Sequence, residues 1–239
     1  LEDTDFLTVP IVGLPVRLQM LEGMDKPIML KGDGFSIIHN FYTPREIAQM
    51  ESEFTRVFSE HADKIEILDK EGSSNDERIF NAQSQSSILN DLVTKNSFLR
   101  KFVEQYTNQA ITNDKLLLNR LTFEEGKVKN SGAGWHRDNH TCQFKTLIYL
   151  TDVSERNGNF QFIINSSPAH VGFPTPRTPS YNTRFSDETV TKLITTNPSC
   201  SVVNIVGVKG TVVLADTTYI HRGNIIKEGE RRAITQYYF

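Results

Sequence analysis

His136 and Asp138 stand two residues apart in the run Gly134-Trp135-His136-Arg137-Asp138-Asn139-His140. In extended backbone residues i and i+2 point to the same face, so this imidazole and carboxylate could grip one cation together. A second imidazole follows at His221, inside Asp216-Thr217-Thr218-Tyr219-Ile220-His221-Arg222-Gly223, after a long apolar stretch and just before the Arg231-Arg232 pair. Two histidines and one carboxylate are a facial ligand set that suits Fe(II) and leaves part of its coordination sphere open. With 6 His in 239 residues, an HxD pair alone is a weak signal. Its weight comes from order: HxD, several strand-like runs, then a distal His and a basic residue in the final stretch. The bland alternative is a pair of hydrogen-bonded histidines lining an all-β core.

The elements that must position these residues are legible as changes of hydrophobic period. Phe35 to His39 reads as a short strand, and Thr43-Pro44-Arg45-Glu46 is a capping box with Pro at the first helical position. The helix it opens should run to about His61, with Ile47, Met50, Phe54, Val57 and Phe58 on one face. Residues 69 to 85 turn to Gly, Ser, Asn and charge and read as a surface loop. Helical spacing resumes at Ile88, Leu89, Leu92 and Val93, and Ser97 caps a further helix that buries Phe98, Leu99, Phe102, Val103 and Tyr106.

After Asn113 the period shortens to that of strands: Lys115 to Phe123, Phe144 to Leu150, Phe160 to Asn165, Ser201 to Val206, Gly210 to Leu214 and Ala233 to Phe239. Many short strands without intervening helices argue for a mainly β, jelly-roll fold with flanking helices on one sheet. Residues 1 to 33, punctuated by Pro and Gly, read as irregular lead-in, and 166 to 182 as a polar loop near the barrel mouth. No repeat divides the chain, so 1–239 is expected to be a single domain, with 1–112 as lead-in strands and supporting helices and 113–239 as the core.

Composition narrows the function classes. The 26 basic and 29 acidic side chains give a net charge of −3, with no basic block or aromatic-and-Arg stripe, so nucleic acid is not an expected partner. Cys142 and Cys200 sit in no metal or disulfide spacing, which points to a reduced, cytoplasmic setting. No apolar run approaches the roughly 20 residues that cross a bilayer. The start, Leu1-Glu2-Asp3-Thr4-Asp5, carries no secretion signal, although a segment trimmed before Leu1 stays open.

Taken together, the HxD segment, the run from Phe144 through Phe162, and the stretch from Gly210 to Phe239 resemble the Fe(II)- and 2-oxoglutarate-dependent dioxygenases, specifically their phytanoyl-CoA dioxygenase-like branch, over roughly residues 30 to 239. The resemblance implies a double-stranded β-helix (jelly-roll, cupin-like) core, with iron held by His136, Asp138 and His221 as metal ligands and catalytic centre. It also implies 2-oxoglutarate as cosubstrate with its far carboxylate on Arg231, and turnover of that acid and O₂ to succinate and CO₂ while a small organic molecule is hydroxylated. Desaturation and cyclisation use the same triad. Asp138 speaks against halogenation, in which relatives carry a small residue at that position. One departure concerns the substrate side: Asn157-Gly158-Asn159-Phe160 and Asn165-Ser166-Ser167-Pro168 stand where many relatives have Gly-Pro-Phe and Gly-Ser-His.

The residues fit those roles chemically. A facial triad leaves room for a bidentate 2-oxo acid and O₂. Arg231 offers a planar fork matched to a carboxylate, and Arg232 must point the opposite way along a strand. His140 keeps the parity of His136 but lies roughly 13 Å further along an extended chain, too far to share one ion easily. Asn119 and Lys145 are candidate lining residues, Asp216 and Arg222 candidate orienting residues beside His221, and Trp135 a packing neighbour. Two other classes stay open. A non-catalytic jelly-roll or sugar-binding module would hold no metal, and a metal-dependent hydrolase would not need O₂.

Overall fold

The computed structural model describes residues 33–67, 75–126, 134–140, 143–171 and 183–239. The expected lead-in over residues 1 to 32 and the part of the expected mouth loop from 172 to 182 lie outside the described residues.

Among the described residues, ten strands form two antiparallel sheets. They are β1 (Phe35–Ile38), β2 (Glu66–Ile67), β3 (Asn75–Phe80), β4 (Asp114–Thr122), β5 (Phe144–Tyr149), β6 (Phe160–Ile163), β7 (Val202–Ile205), β8 (Val212–Asp216), β9 (His221–Gly223) and β10 (Glu230–Tyr238). The larger sheet has 7 strands in the order β1-β8-β5-β10-β4-β3-β2, and the smaller has 3 in the order β7-β6-β9. This is the jelly-roll, with neighbours in the sheet far apart in sequence.

Strand parity divides the larger sheet into two faces. Leu116, Leu118, Phe144, Ile148, Val212, Leu214, Ile234 and Tyr238 bury against Met50, Phe54, Val57, Phe98, Leu99 and Phe102 in one apolar cluster. Those partners come from α1 (Pro44–Glu60) and α2 (Ser97–Thr107). Each such side chain contributes about 1.5–3 kcal/mol on burial, so the helices fix which face of the sheet turns outward. The opposite parity, Tyr149, Val213, Ala215 and Ala233, meets Phe162 and Ile205 of the smaller sheet. Lys145, Tyr237 and Asn119 share this inward parity, since Tyr237 pairs with Lys145 and Ala233 with both Tyr149 and Asn119. The polar side chains of the sandwich interior therefore come from alternation alone.

Helix α1 starts as the sequence demands. Thr43 Oγ1 accepts from the Glu46 backbone N–H, and the Glu46 carboxylate accepts from the Thr43 N–H at 2.8 Å. At α2 the cap is Asn96, whose Oδ1 accepts from Leu99 N, and Ser97 is the first helical residue instead of the cap. Between them, Ser87–Leu89 is one helical turn that runs into a π turn at Asn90–Thr94.

Two expectations are corrected. Within the stretch read as a surface loop, residues 75–80 form β3, inside the sheet between β4 and β2, and residues 82–84 a 3-10 turn. The segment Asn75-Asp76-Glu77-Arg78-Ile79-Phe80 is polar because its inward side chains bond to each other, which periodicity cannot reveal. The core strands are also interrupted by a helix, α3 (Asp187–Thr196), capped by Ser186 and packed through Val190 onto Trp135, Ile163, Cys200 and Ile220. Among the described residues no helix is long and apolar enough to cross a membrane.

Candidate metal centre

The two histidines face each other across an isolated antiparallel bridge. His136 N donates to His221 O and His221 N donates to His136 O, both at 2.9 Å. Asp138 N donates to Thr217 O at 3.0 Å, so the HxD segment is stitched to the turn that joins β8 to β9. That turn is shaped by Asp216, which accepts from Thr218 N, Thr218 Oγ1 and the Tyr106 hydroxyl. The HxD pair thus keeps extended geometry without belonging to a full strand.

Hydrogen bonding assigns the tautomers. His136 Nδ1 lies 2.8 Å from Gly134 O and His221 Nδ1 lies 2.9 Å from Tyr219 O. A carbonyl only accepts, so both Nδ1 atoms carry the proton and both Nε2 atoms present a lone pair. The Nε2 atoms are 3.6 and 3.8 Å from the same oxygen, Asp138 Oδ1. Three electron-pair donors thus converge within 4.8 Å of one another. His221 Nε2 is buried and has no hydrogen-bond partner. Among the described residues no donor points to the centre of the three, whereas a cation there would satisfy all of them, so the donor set fits a divalent metal.

The other carboxylate oxygen has a different partner. Asp138 Oδ2 pairs with Lys145 Nζ at 2.5 Å, and the ammonium lies over the Tyr237 ring, 4.6 Å from its centroid. Lys145 thereby occupies one carboxylate oxygen and leaves Oδ1 as the one a cation could take, an arrangement that would leave other coordination positions free. Burial alone would raise the Asp138 pKa, but Lys145, followed by His221, holds it well below the usual carboxylate range. Behind the histidines, the rings of Phe160 and Phe162 lie 5.2 and 6.3 Å from His221 and wall it off from water.

Burial, and then the charge of Lys145, pulls the His136 pKa from 6.5 down to about 4. Burial moves His221 in the same direction. Both imidazoles are neutral and ready to ligate at neutral pH. In the metal-free protein this has a stability consequence, because unfolding between about pH 6.5 and 4 takes up protons and stability must rise with pH across that window. At roughly 1.4 kcal/mol per unit, His136 alone accounts for about 3 kcal/mol, fully lost below its folded value. The urea midpoint of metal-free protein is expected to fall steadily from pH 6.5 to 4, and His136→Gln to flatten the fall. A midpoint independent of pH in this range would contradict the assignment.

On the far side of the cavity, Arg231 is buried and its Nη atoms donate to Gly158 O and, at 2.5 Å, to Asn119 Oδ1. Gly158 has φ +78°, and a Cβ there would meet Leu121 Cδ2 at 2.6 Å, so the close approach that delivers its carbonyl to Arg231 requires glycine. Arg232, on the opposite face, pairs with Glu230 at 2.7 Å. The cavity between triad and Arg231 has a volume of about 210 Å³ and is lined also by Arg78, Asn119, Lys145, Phe160 and Tyr237. Arg78 and Tyr237 were not singled out from sequence. Tyr237 could have been, from its parity with Arg231 on the last strand. His140 is not part of the converging group. Trp135 packs in the third cluster under the Arg222 guanidinium, 4.1 Å from the ring centroid, and Arg222 pairs with Gln161 and Asp187.

An antiparallel jelly-roll carrying two neutral imidazoles and one carboxylate at a single point defines the class of non-haem iron oxygenases that use 2-oxoglutarate. The phytanoyl-CoA dioxygenase (PhyH) family matches residues 30–233, and the chain belongs to that family. It is accordingly an iron- and 2-oxoglutarate-dependent enzyme.

Solved structures with the same fold include the epimerase SnoN in complex with Fe3+, alpha ketoglutarate and nogalamycin RO, 15% identical over 87% of this chain and 79% of that one, with a TM-score of 0.67. EctD from S. alaskensis with 2-oxoglutarate and 5-hydroxyectoine is 18% identical over 87% and 72%, with a TM-score of 0.64. HygX from Streptomyces hygroscopicus with nickel and 2-oxoglutarate is 17% identical over 95% and 86%, with a TM-score of 0.60. At such identities the likeness speaks for the fold alone. No curated protein matches the chain by sequence.

Proposed function

We propose that this enzyme hydroxylates a small organic molecule, with His136, Asp138 and His221 as its metal ligands and Arg231 as the anchor for the far carboxylate of 2-oxoglutarate. The observation that carries the reading is the convergence of two deprotonated Nε2 atoms and Asp138 Oδ1 at one point, with no proton or protein cation between them among the described residues. When bound, Fe(II) supplies the means to couple oxidative decarboxylation of 2-oxoglutarate by O₂, giving succinate and CO₂, to oxidation of a substrate C–H bond.

The chain's own residues prepare that chemistry. The Nδ1 bonds to Gly134 O and Tyr219 O hold each imidazole in the ligating tautomer. Lys145 keeps Asp138 to one ligating oxygen. Phe160 and Phe162 exclude water on one side, which strengthens every electrostatic interaction within. Arg231, its guanidinium oriented by Gly158 O and Asn119 Oδ1, offers a fixed positive charge on the cavity it shares with the triad, matched to a carboxylate.

The test is spectroscopic and chemical. Anaerobic addition of Fe(II) and 2-oxoglutarate is expected to give a weak visible charge-transfer absorption, and admission of air to give succinate. Neither signal from folded protein would defeat the reading.

A further inference from the structure

Arg78 is a half-buried charged side chain of the cavity that neither the triad nor the cosubstrate anchor employs. It lies on β3 directly opposite Asn119 on β4. Its Nε and Nη2 donate to the two oxygens of Asp76 at 3.0 and 2.8 Å, and the Asp76 side chain is 0% exposed. Asn119 Nδ2 fixes that carboxylate in turn at 2.5 Å. One edge of the guanidinium is therefore locked. Nη1, at the other end, has no acceptor among the described residues, and the side chain lines the cavity.

A purely structural role explains this poorly. Replacing a buried ion pair by apolar residues of similar volume is often neutral or stabilising, so an Arg–Asp pair set into a sheet interior adds little net stability. A guanidinium held rigid along one edge and open along the other is instead the form that receives an anion.

The charge balance points the same way. Among the described buried and half-buried groups at the cavity, Arg78, Lys145 and Arg231 are positive, and Asp76 and Asp138 negative, which leaves one positive charge in excess of these five. A divalent metal and a dicarboxylate cosubstrate cancel each other's charge. The loaded site keeps the excess. In a site partly closed to water such an excess draws an anion.

We propose that the organic substrate carries an anionic group, a carboxylate or a phosphate, and that Arg78 receives it through Nη1. The proposal rests on the oxygenase reading for what the bound molecule is used for, while the anion site itself is defined by Arg78, Asp76 and the cavity.

The experiment is a thermal-shift and titration screen of protein loaded with Mn(II) and 2-oxoglutarate, which keeps the site occupied. Two matched panels are used, carboxylic acids against their primary amides and phosphate monoesters against the parent alcohols. Ligands are expected only among the charged members, and the panel that holds them distinguishes carboxylate from phosphate. Arg78→Met in an Asp76→Asn background, which removes both buried charges together, is expected to weaken those ligands about tenfold or more while 2-oxoglutarate affinity stays within about twofold. Arg78→Lys, which keeps the charge and a partner for Asp76, is expected to weaken them less.

Equal binding of the neutral members, no ligand in either panel, or charged ligands indifferent to both variants would overturn the proposal. So would a loss confined to 2-oxoglutarate, since Arg78 would then serve the cosubstrate. Failure of the oxygenase reading is recognised separately, by a missing Fe(II) absorption in wild-type protein whose Mn(II)-only form still prefers acids to amides.

Discussion

Asp138→Ala will lose the visible absorption that Fe(II) and 2-oxoglutarate give with the wild-type protein, and its succinate formation will fall by about three orders of magnitude, equivalent to about 4 kcal/mol of transition-state stabilisation. The geometry makes this more than the loss of one ligand. Oδ1 is the atom that both Nε2 atoms face, at 3.6 and 3.8 Å, and Oδ2 is the partner of Lys145 at 2.5 Å. Without the carboxylate, two neutral imidazoles remain beside an ammonium that has lost its carboxylate partner, and that ammonium repels a dication. A second variant separates the two effects. Lys145→Met added to Asp138→Ala is expected to recover part of the Mn(II) affinity, measured by titration, because it removes the repulsion without restoring the ligand. Wild-type absorption in Asp138→Ala would mean that another residue completes the set, and a double variant that binds metal no better than the single one would remove Lys145 from the account.

The convergence of His136, Asp138 and His221 could be read from sequence because its geometry is local at each end. His136 and Asp138 need only extended backbone, and the bridge to His221 supplies it although no full strand runs through them. The places of core strands were legible from the same alternation, in segments such as Phe144–Tyr149 and Glu230–Tyr238, where apolar residues of one parity meet the helices, whereas their order in the sheets was not. Arg231 could be separated from Arg232 by the same parity, and the exposures agree with it, Arg231 being only 5% exposed.

What escaped is what parity cannot encode. In β3 only Ile79 is a buried apolar residue, and Asp76 and Arg78 look like loop composition until the sheet places them beside Asn119. Arg78 is paired with Asp76, and the burial of Asp76 is compensated further by a partner distant in sequence, Asn119, which also holds Arg231. Helix α3 hid for a different reason. Its Thr-rich sequence keeps a single buried residue, Val190, so the apolar stripe is too thin to register. The signal that could have found it is Ser186 followed by Asp187 and Glu188, a cap with two acids in the first turn, where the helix dipole favours them. The role of Lys145 also lay beyond sequence, since its contact with Asp138 depends on how the HxD segment leans over β5.

Arg231→Met is expected to weaken 2-oxoglutarate about 100-fold, read from titration of the anaerobic Fe(II) absorption, because truncating one partner of a buried, hydrogen-bonded charge pair costs about 2–5 kcal/mol. Loss of affinity alone would not prove contact, since Arg231 also ties Gly158 O to Asn119 Oδ1 and its removal could disturb the cavity wall. The decisive comparison uses 2-oxopentanoate, which keeps the chelating 2-oxo acid and lacks the far carboxylate. Wild-type protein should prefer 2-oxoglutarate to it by about the same 100-fold, and Arg231→Met should bind the two acids within a few-fold of each other, so that the preference is abolished instead of both affinities falling together. Burial lowers the pKa of Arg231, yet a guanidinium starts so far above neutrality that it keeps its charge, and the preference is expected to persist unchanged across neutral pH. Should Arg231→Met retain the wild-type preference while Arg78→Met loses it, the two arginines would exchange roles, with the cosubstrate lying toward β3 and the substrate toward Gly158.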